Sequence, residues 1–248
     1  MKPSSKIHIV HQDHHLLVVS KPPGLATTAP GNGDCLTKRL NEGRRVRAGQ
    51  RAIHASSRLD SPVSGLVTYA QTDKAIAALK EARDVGRYRR RYLALSLSSL
   101  ESSEGSWTWP IGMNSKDVRL RQVAVPGRSE RIQEAKTDYS SSAHSGVTLL
   151  VLEPHTGRTH QLRVHAEAAG CPLLGDVSYG GNKRVTLTNG RVLSARRVML
   201  HCALLNIPDV ANDGELALRL PPPEDFVSLF TSLGGTAAAL EDALKPFD

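Results

Sequence analysis

The chain has 248 residues, long enough to bury a substantial core as one large domain or two small ones. Aromatics are sparse at 4%, and no apolar run reaches the roughly 18 residues needed to cross a bilayer, so a membrane-spanning role is excluded from the expectations. A net charge of +8 with a pI near 9.6 points to a polyanionic partner.

The N-terminus, Met-Lys-Pro-Ser-Ser-Lys, lacks the apolar stretch of a signal peptide. Cys35, Cys171 and Cys202 are scattered, odd in number and without metal spacing, which suits a reducing compartment. The expectation is a cytoplasmic protein acting as a monomer, folded as a single domain over 1–248.

Residues 7–10 and 16–19 alternate as two short strands joined by a polar turn, and Lys21-Pro22-Pro23-Gly24 ends that hairpin because neither proline can donate to a ladder. Residues 27–52 are rich in glycine and charge with no clear period, and are expected to be a basic loop or insertion. The stretch 56–65 holds Asp60 between an arginine and a Ser-Pro step, ahead of an apolar strand at 65–71. By itself this is a turn, with the Asp60 side chain bonded to nearby backbone.

Ala75, Ile76, Leu79 and Ala82 recur at helical spacing, giving a helix from about Thr72 to Asp84 with Thr72 or Asp73 as cap. Residues 91–97 alternate as a strand, and Trp107 and Trp109 fall on one face of a possible strand. Strands at 135–141 and 147–153 precede a turn at Pro154-His155-Thr156-Gly157. Arg158 to Ala169 reads as a helix closed by Gly170. Strands near 191–194, 198–207 and 215–220 lead to a proline triplet and a helical tail over 222–248. Many strands, few helices and no regular alternation define an α+β fold with a mostly antiparallel sheet.

The positive charge falls in four clusters. They are Lys38, Arg39, Arg44, Arg45, Arg47 and Arg51; Arg87, Arg89, Arg90 and Arg91; Arg119, Arg121, Arg128 and Arg131; and Lys183, Arg184, Arg191, Arg196 and Arg197. The guanidinium fork meets two phosphate oxygens at once, so each cluster is either a solvated surface or a hold on nucleic acid, and four together favour the latter. His8, His11 and His14 sit three apart, but zinc would require a convergent set of three or four ligands that the spacing does not provide.

Residues 152–165 are the densest in chemistry, with two arginines, three histidines and a glutamine around a turn into a helix. A helix start there would favour anions through its free N–H groups, or its polar residues could form a solvated face.

Taken in order, the motifs resemble the RluA-type pseudouridine synthases, which isomerise particular uridines in ribosomal or transfer RNA. Lys21, Pro22 and Gly24 match a Lys-Pro-x-Gly turn. Arg58, Leu59, Asp60, Ser64 and Gly65 match the Arg-Leu-Asp and Ser-Gly signature. Arg90, Tyr92 and Ala94 match a strand motif, and residues 156–165 match a further block throughout. Gly175-Asp176, Tyr179-Gly180 and Leu200-His201 continue the pattern, so the resemblance covers roughly residues 7–220. Ser57 and Val63 depart from it, standing where the family usually writes His and Thr. No S4-type RNA-binding extension is found, which would leave RNA affinity to the catalytic domain's own basic surface.

The resemblance implies a bent, mostly antiparallel sheet with flanking helices, and the pseudouridine synthase reaction. Asp60 would be the catalytic carboxylate, acting at the ring or at the sugar. Arg163 matches the family's buried basic partner for it, since an ionised carboxylate out of water requires a cation. Tyr92 would stack on the flipped uracil and help remove its C5 proton. Arg58 would hold the RNA backbone or fill the gap left by the flipped base, and Arg158, His160, Gln161 and Leu162 would contact the RNA. No step calls for a metal or a cofactor. Two other functions stay open on the residues alone: a catalytically silent RNA-binding protein on the same scaffold, and a glycosylase that releases uracil.

Overall fold

In the computed structural model the described residues are 7–247, apart from 30, 32, 43, 126 and 128. Arg128 of the third basic cluster thus lies outside them. In chain order the elements are β1 (His8–Gln12), β2 (Leu16–Lys21), α1 (Leu36–Asn41), β3 (His54–Ala55), β4 (Ser64–Ala70), α2 (Asp73–Asp84) and β5 (Arg89–Ser96). There follow β6 (Glu104–Trp107), β7 (Ile111–Met113), β8 (Arg121–Val123), β9 (Thr137–His144), β10 (Val147–Pro154), α3 (Gln161–Ala168), β11 (Arg184–Thr186) and β12 (Val192–Ser194). The last are β13 (Leu200–Asp209), β14 (Gly214–Arg219), α4 (Glu224–Ser232) and α5 (Ala237–Ala243). The fold is α+β and mostly antiparallel, as expected.

The elements belong to two compact units. The first takes in the described residues up to Arg89, then Cys202–Pro221, then the described end from Pro246. Its strands lie in the order β1-β2-β4-β13, with β14 on β13 and β3 on β4. The β1–β2, β2–β4 and β13–β14 pairs are antiparallel. β2 and β4 are the interior strands, and their apolar residues Leu16, Leu17, Val18, Val19, Leu66 and Val67 are buried. Helix α2 starts where the pattern predicts. Thr72 caps it by accepting the Ala75 N–H at 3.2 Å, and Ala75, Leu79 and Ala82 form its buried stripe. The segment expected as an irregular loop carries the six-residue α1, which is too short to show a period and is held through buried Leu36.

The second unit, Arg90–His201 with Pro222–Lys245, has the strand order β5-β10-β9-β6. Leu93, Ala94 and Leu95 of β5 and Leu149, Leu150 and Leu152 of β10 are buried in antiparallel register, with Tyr92 opposite Leu152. The C-terminal tail forms α4 and α5, with Phe226 and Phe230 fully buried. Two details depart from expectation. Trp107 ends β6 and is buried, stacked on Tyr139 at 4.6 Å, whereas Trp109 lies beyond the strand and is exposed, so the pair shares no strand face. The helix expected from Arg158 begins at Gln161, because His160 sits in the left-handed region at φ 57° and breaks the helical path before it.

Candidate active site

Arg58 and Asp60 lie in the first unit, on the loop between β3 and β4. Leu59 between them is buried, while Arg58 is exposed and Asp60 half-buried. The turn over Asp60-Ser61-Pro62-Val63 is closed by backbone, with Val63 N–H donating to the Asp60 carbonyl at 3.0 Å.

Two further contacts pin the loop from outside. Thr27 Oγ1 donates to the Leu59 carbonyl at 2.9 Å and accepts the Leu59 N–H at 3.0 Å. Lys21, fully buried, donates through Nζ to the carbonyls of Pro22, Leu25 and Ser61 at 3.0, 2.7 and 3.1 Å. Gly24, at φ 84°, turns its own N–H onto the same Ser61 carbonyl at 2.7 Å. The Lys-Pro-Pro-Gly turn is thus a bracket under the residue that follows Asp60. Fixed carbonyl dipoles there stand in for water that the buried ammonium has lost.

Ser57 has a defined part in the same loop. Thr68 N–H donates to Ser57 Oγ at 3.0 Å, while the Ser56 and Ser57 N–H groups both reach the Thr68 carbonyl at 2.9 and 3.2 Å. Tyr88 Oη donates to Thr68 Oγ1 at 3.0 Å. Ser57 thereby carries the pairing two residues past the end of β3. Gly65, at φ 125°, is the second residue of β4, and a Cβ there would overlap the backbone of Cys202.

Tyr92, Arg158, His160, Gln161, Leu162 and Arg163 lie in the second unit. Tyr92 is 6% exposed on β5. Arg163, also 6% exposed, meets Asp176 with two parallel bonds, Nε to Oδ2 at 2.6 Å and Nη2 to Oδ1 at 2.7 Å. Asp176 itself is 1% exposed, and its backbone starts the short turn bearing Tyr179. Tyr179 lies under the guanidinium at 4.7 Å, and its Oη accepts the Arg121 N–H at 2.9 Å and bonds His160 Nδ1 at 2.7 Å. Arg163, Asp176, Tyr179 and His160 form one network, which holds a buried cation in a fixed orientation.

Gln161 is buried and knits the start of α3. Its Oε1 accepts from Thr156 Oγ1 at 2.7 Å and from Arg158 N–H at 3.0 Å, and its Nε2 donates to Lys136 O and Thr137 Oγ1, each at 3.0 Å. Leu162 is 7% exposed, and the Arg158 guanidinium donates to the Glu134 carbonyl at 2.8 Å. His165 is fully buried, and burial holds its imidazole below the usual histidine range, hence neutral. Its Nε2 faces the Trp109 carbonyl at 2.9 Å and must carry the proton, so Nδ1 accepts from Thr137 Oγ1 at 3.0 Å. In the first unit, His11 bonds Asp13, and among the described residues no three metal-ligating side chains converge.

Four contributors went unread in the sequence. Lys21, Asp176 and Tyr179 lay within matched motifs but had no assigned task. Thr27 gave no signal at all, being one threonine in a polar stretch.

Residues 15–168 match the family model described as RNA pseudouridylate synthase. The chain is 31% identical over 195 residues to a Bacillus subtilis protein named as an RNA pseudouridine synthase, YhcT, covering 78% of this chain but only 63% of that relative. It is 31% identical over 239 residues to the ribosomal large subunit pseudouridine synthase D of Zymomonas mobilis, covering 92% of this chain and 73% of the relative. A solved structure, human RNA pseudouridylate synthase domain containing 1, is similar with a TM-score of 0.72 at 26% identity, over 100% of this chain and 98% of that one.

Proposed function

Since the chain belongs to the RNA pseudouridylate synthase family, we propose that it isomerises uridine to pseudouridine in RNA. The substrate is a uridine of ribosomal or transfer RNA, the ribosomal choice being the one supported by the name of the Zymomonas mobilis relative. The reaction breaks the bond from uracil N1 to the sugar, rejoins the sugar at C5 and removes the C5 proton.

Asp60 supplies the carboxylate, at the ring or at the anomeric carbon. The observation that carries this assignment is the bracing of its loop: Lys21, Gly24 and Thr27 fix the backbone on both sides of Asp60, and the turn itself is closed backbone to backbone. Positioned carboxylates gain rate from such preorganisation. Tyr92 presents the ring that stacks on uracil and helps remove the C5 proton, while N1, freed from the sugar, takes up a proton. Arg163 is the basic residue of the reaction, kept oriented and charged by Asp176. Arg58, exposed beside Asp60, contacts the RNA backbone or fills the vacated stack, where the target base leaves at a cost of a few kcal/mol. Arg158, His160 and Leu162 border the RNA, with Gln161 beside them and bonded to Lys136, Thr137, Thr156 and the Arg158 N–H. The three buried free cysteines support a cytoplasmic setting.

The test uses total RNA from a strain lacking the gene. After incubation with the protein, pseudouridines are mapped by chemical adduct and reverse-transcription stops. New stops with the wild type and none with Asp60→Asn are expected. Absence of any new site would leave an RNA-binding protein without chemistry, and free uracil in the supernatant would indicate a glycosylase.

A further inference from the structure

The structure separates the four basic clusters that the sequence cannot rank. In the first, Arg39 pairs with Asp34, Arg51 with Asp73, and Arg44 bonds Gln50 and Gln71. In the second, Arg87 pairs with Glu81, Arg91 with Glu153, and Arg90 donates to the carbonyls of Pro154 and Thr156. In the third, Arg119 pairs with Asp117 and Arg121 donates to Val118 and Leu120. Most of these side chains are engaged within the protein, although Arg45, Arg47 and Arg131 are exposed and make no ion pair among the described residues.

The fourth differs. Among the described residues only the Arg197 side chain is engaged, with Asp225 at 2.6 and 2.9 Å. Lys183, Arg184, Arg191 and Arg196 are exposed, and among the described residues none of the four makes an ion pair. From Val177 to Pro208 the sequence has no Asp or Glu to neutralise them. They ride on the β11–β12 hairpin, whose register sets Arg184 opposite Ser194 and Thr186 opposite Val192. Alternation sends Leu193 and Ala195 inward, where both are buried, and leaves Arg184, Thr186, Val192 and Ser194 outward. The hairpin's base is rigidly tied to the turn that holds Arg163. Gly175 N–H donates to Asn182 O at 2.9 Å, Ala195 N–H to Lys183 O at 2.8 Å, and a Cβ on Gly175 would overlap the Arg197 carbonyl.

We propose that this hairpin is the RNA-backbone clamp of the protein, in which Lys183, Arg184, Arg191 and Arg196 bind successive phosphates, while its base is fixed to the Asp176 turn. The inference rests on the reading that the substrate is RNA. The outward face carries no aromatic side chain to stack on bases, so the clamp adds affinity and register without choosing a sequence.

Binding to a uridine-bearing RNA and to an unrelated RNA of equal length is measured between 50 and 200 mM salt. Each phosphate contact contributes about 0.7 to the slope of log affinity against log salt on single strands, so replacing all four cations by Ser lowers that slope by about 3. The loss is the same for both RNAs. A control with equal charge removed elsewhere, Arg45, Arg47, Lys80 and Lys116 to Ser, retains most of the slope. The single variants Arg184→Gln and Arg191→Gln, each expected to lower it by about 0.7, cover the case of a poorly folded quadruple variant. An unchanged slope, an equal fall in the control, or a loss confined to one RNA overturns the clamp. Hairpin-dependent binding without pseudouridine formation sinks the isomerase reading alone, and isomerisation with an unchanged slope sinks the clamp alone.

Discussion

Asp176→Asn tests whether Arg163 is held as a charge or merely as a shape. The substitution keeps the side chain's size and removes the carboxylate from a pair whose members are 6% and 1% exposed. Breaking a buried ion pair by removing one partner costs about 3–5 kcal/mol, because the remaining charge is left in a poorly solvating interior. For a chain of this length each kcal/mol lowers Tm by about 2–4 °C, so the expected fall is about 6–20 °C. Circular dichroism melts of wild type and variant at pH 7.5 read it directly. Replacing both partners with apolar residues, as in Arg163→Met with Asp176→Leu, removes the orphaned charge, and stability then returns most of the way to wild type. That double variant still forms no pseudouridine, which separates Arg163's chemical task from its structural one. A melt of Asp176→Asn within about 2 °C of wild type would refute the reasoning, as would a double variant no more stable than the single.

Other outcomes follow from the same network. Arg163→Met loses isomerisation far more than Arg121→Met, whose side chain only donates to nearby carbonyls; equal losses in a pseudouridine assay would demote Arg163 to a phosphate contact. Thr27→Val removes a donor and an acceptor from Leu59 and destabilises by about 1–3 kcal/mol, lowering turnover at saturating RNA more than affinity. Ser57→Ala leaves the buried Thr68 N–H without its acceptor and costs about 1–3 kcal/mol in urea unfolding. For His165 the folded state resists protonation and the unfolded chain does not. Stability is therefore complete above about pH 6.5 and falls as the pH drops below it, by at most about 1.4 kcal/mol per unit. Urea titrations at several pH values should show this slope in the wild type and its absence in His165→Asn.

Local signals were the legible ones. Helix α2 could be read because its apolar spacing and its Thr72 cap agree, each determined by residues within one or two turns. Asp60, Tyr92 and Arg163 stood out through ordered motifs. What could not be read are partnerships across distance: Arg91 finds Glu153, Arg197 finds Asp225, and Arg51 finds Asp73, so a basic run in sequence need not be a basic surface. Nothing in the composition says that Lys21 is fully buried, since lysine is ordinarily exposed and the carbonyls that receive its ammonium are gathered by the fold. The left-handed turn at His160 was equally silent, because a polar stretch carries no period to interrupt.

The close approach of Gly65 to Cys202 bears on how the protein is made. The strand that follows the Asp60 loop must wait for a neighbour encoded 137 positions later (202 − 65), after the whole of the second unit's larger segment has left the ribosome. Until then β4, whose residues are all buried in the finished fold, has on that edge only the two-residue β3 and is a template for wrong pairing. A nascent chain stopped before residue 202 therefore displays every residue of the Asp60 loop yet lacks the strand beside it. Such a truncated product would be sticky rather than active, because β4 still lacks its neighbour β13.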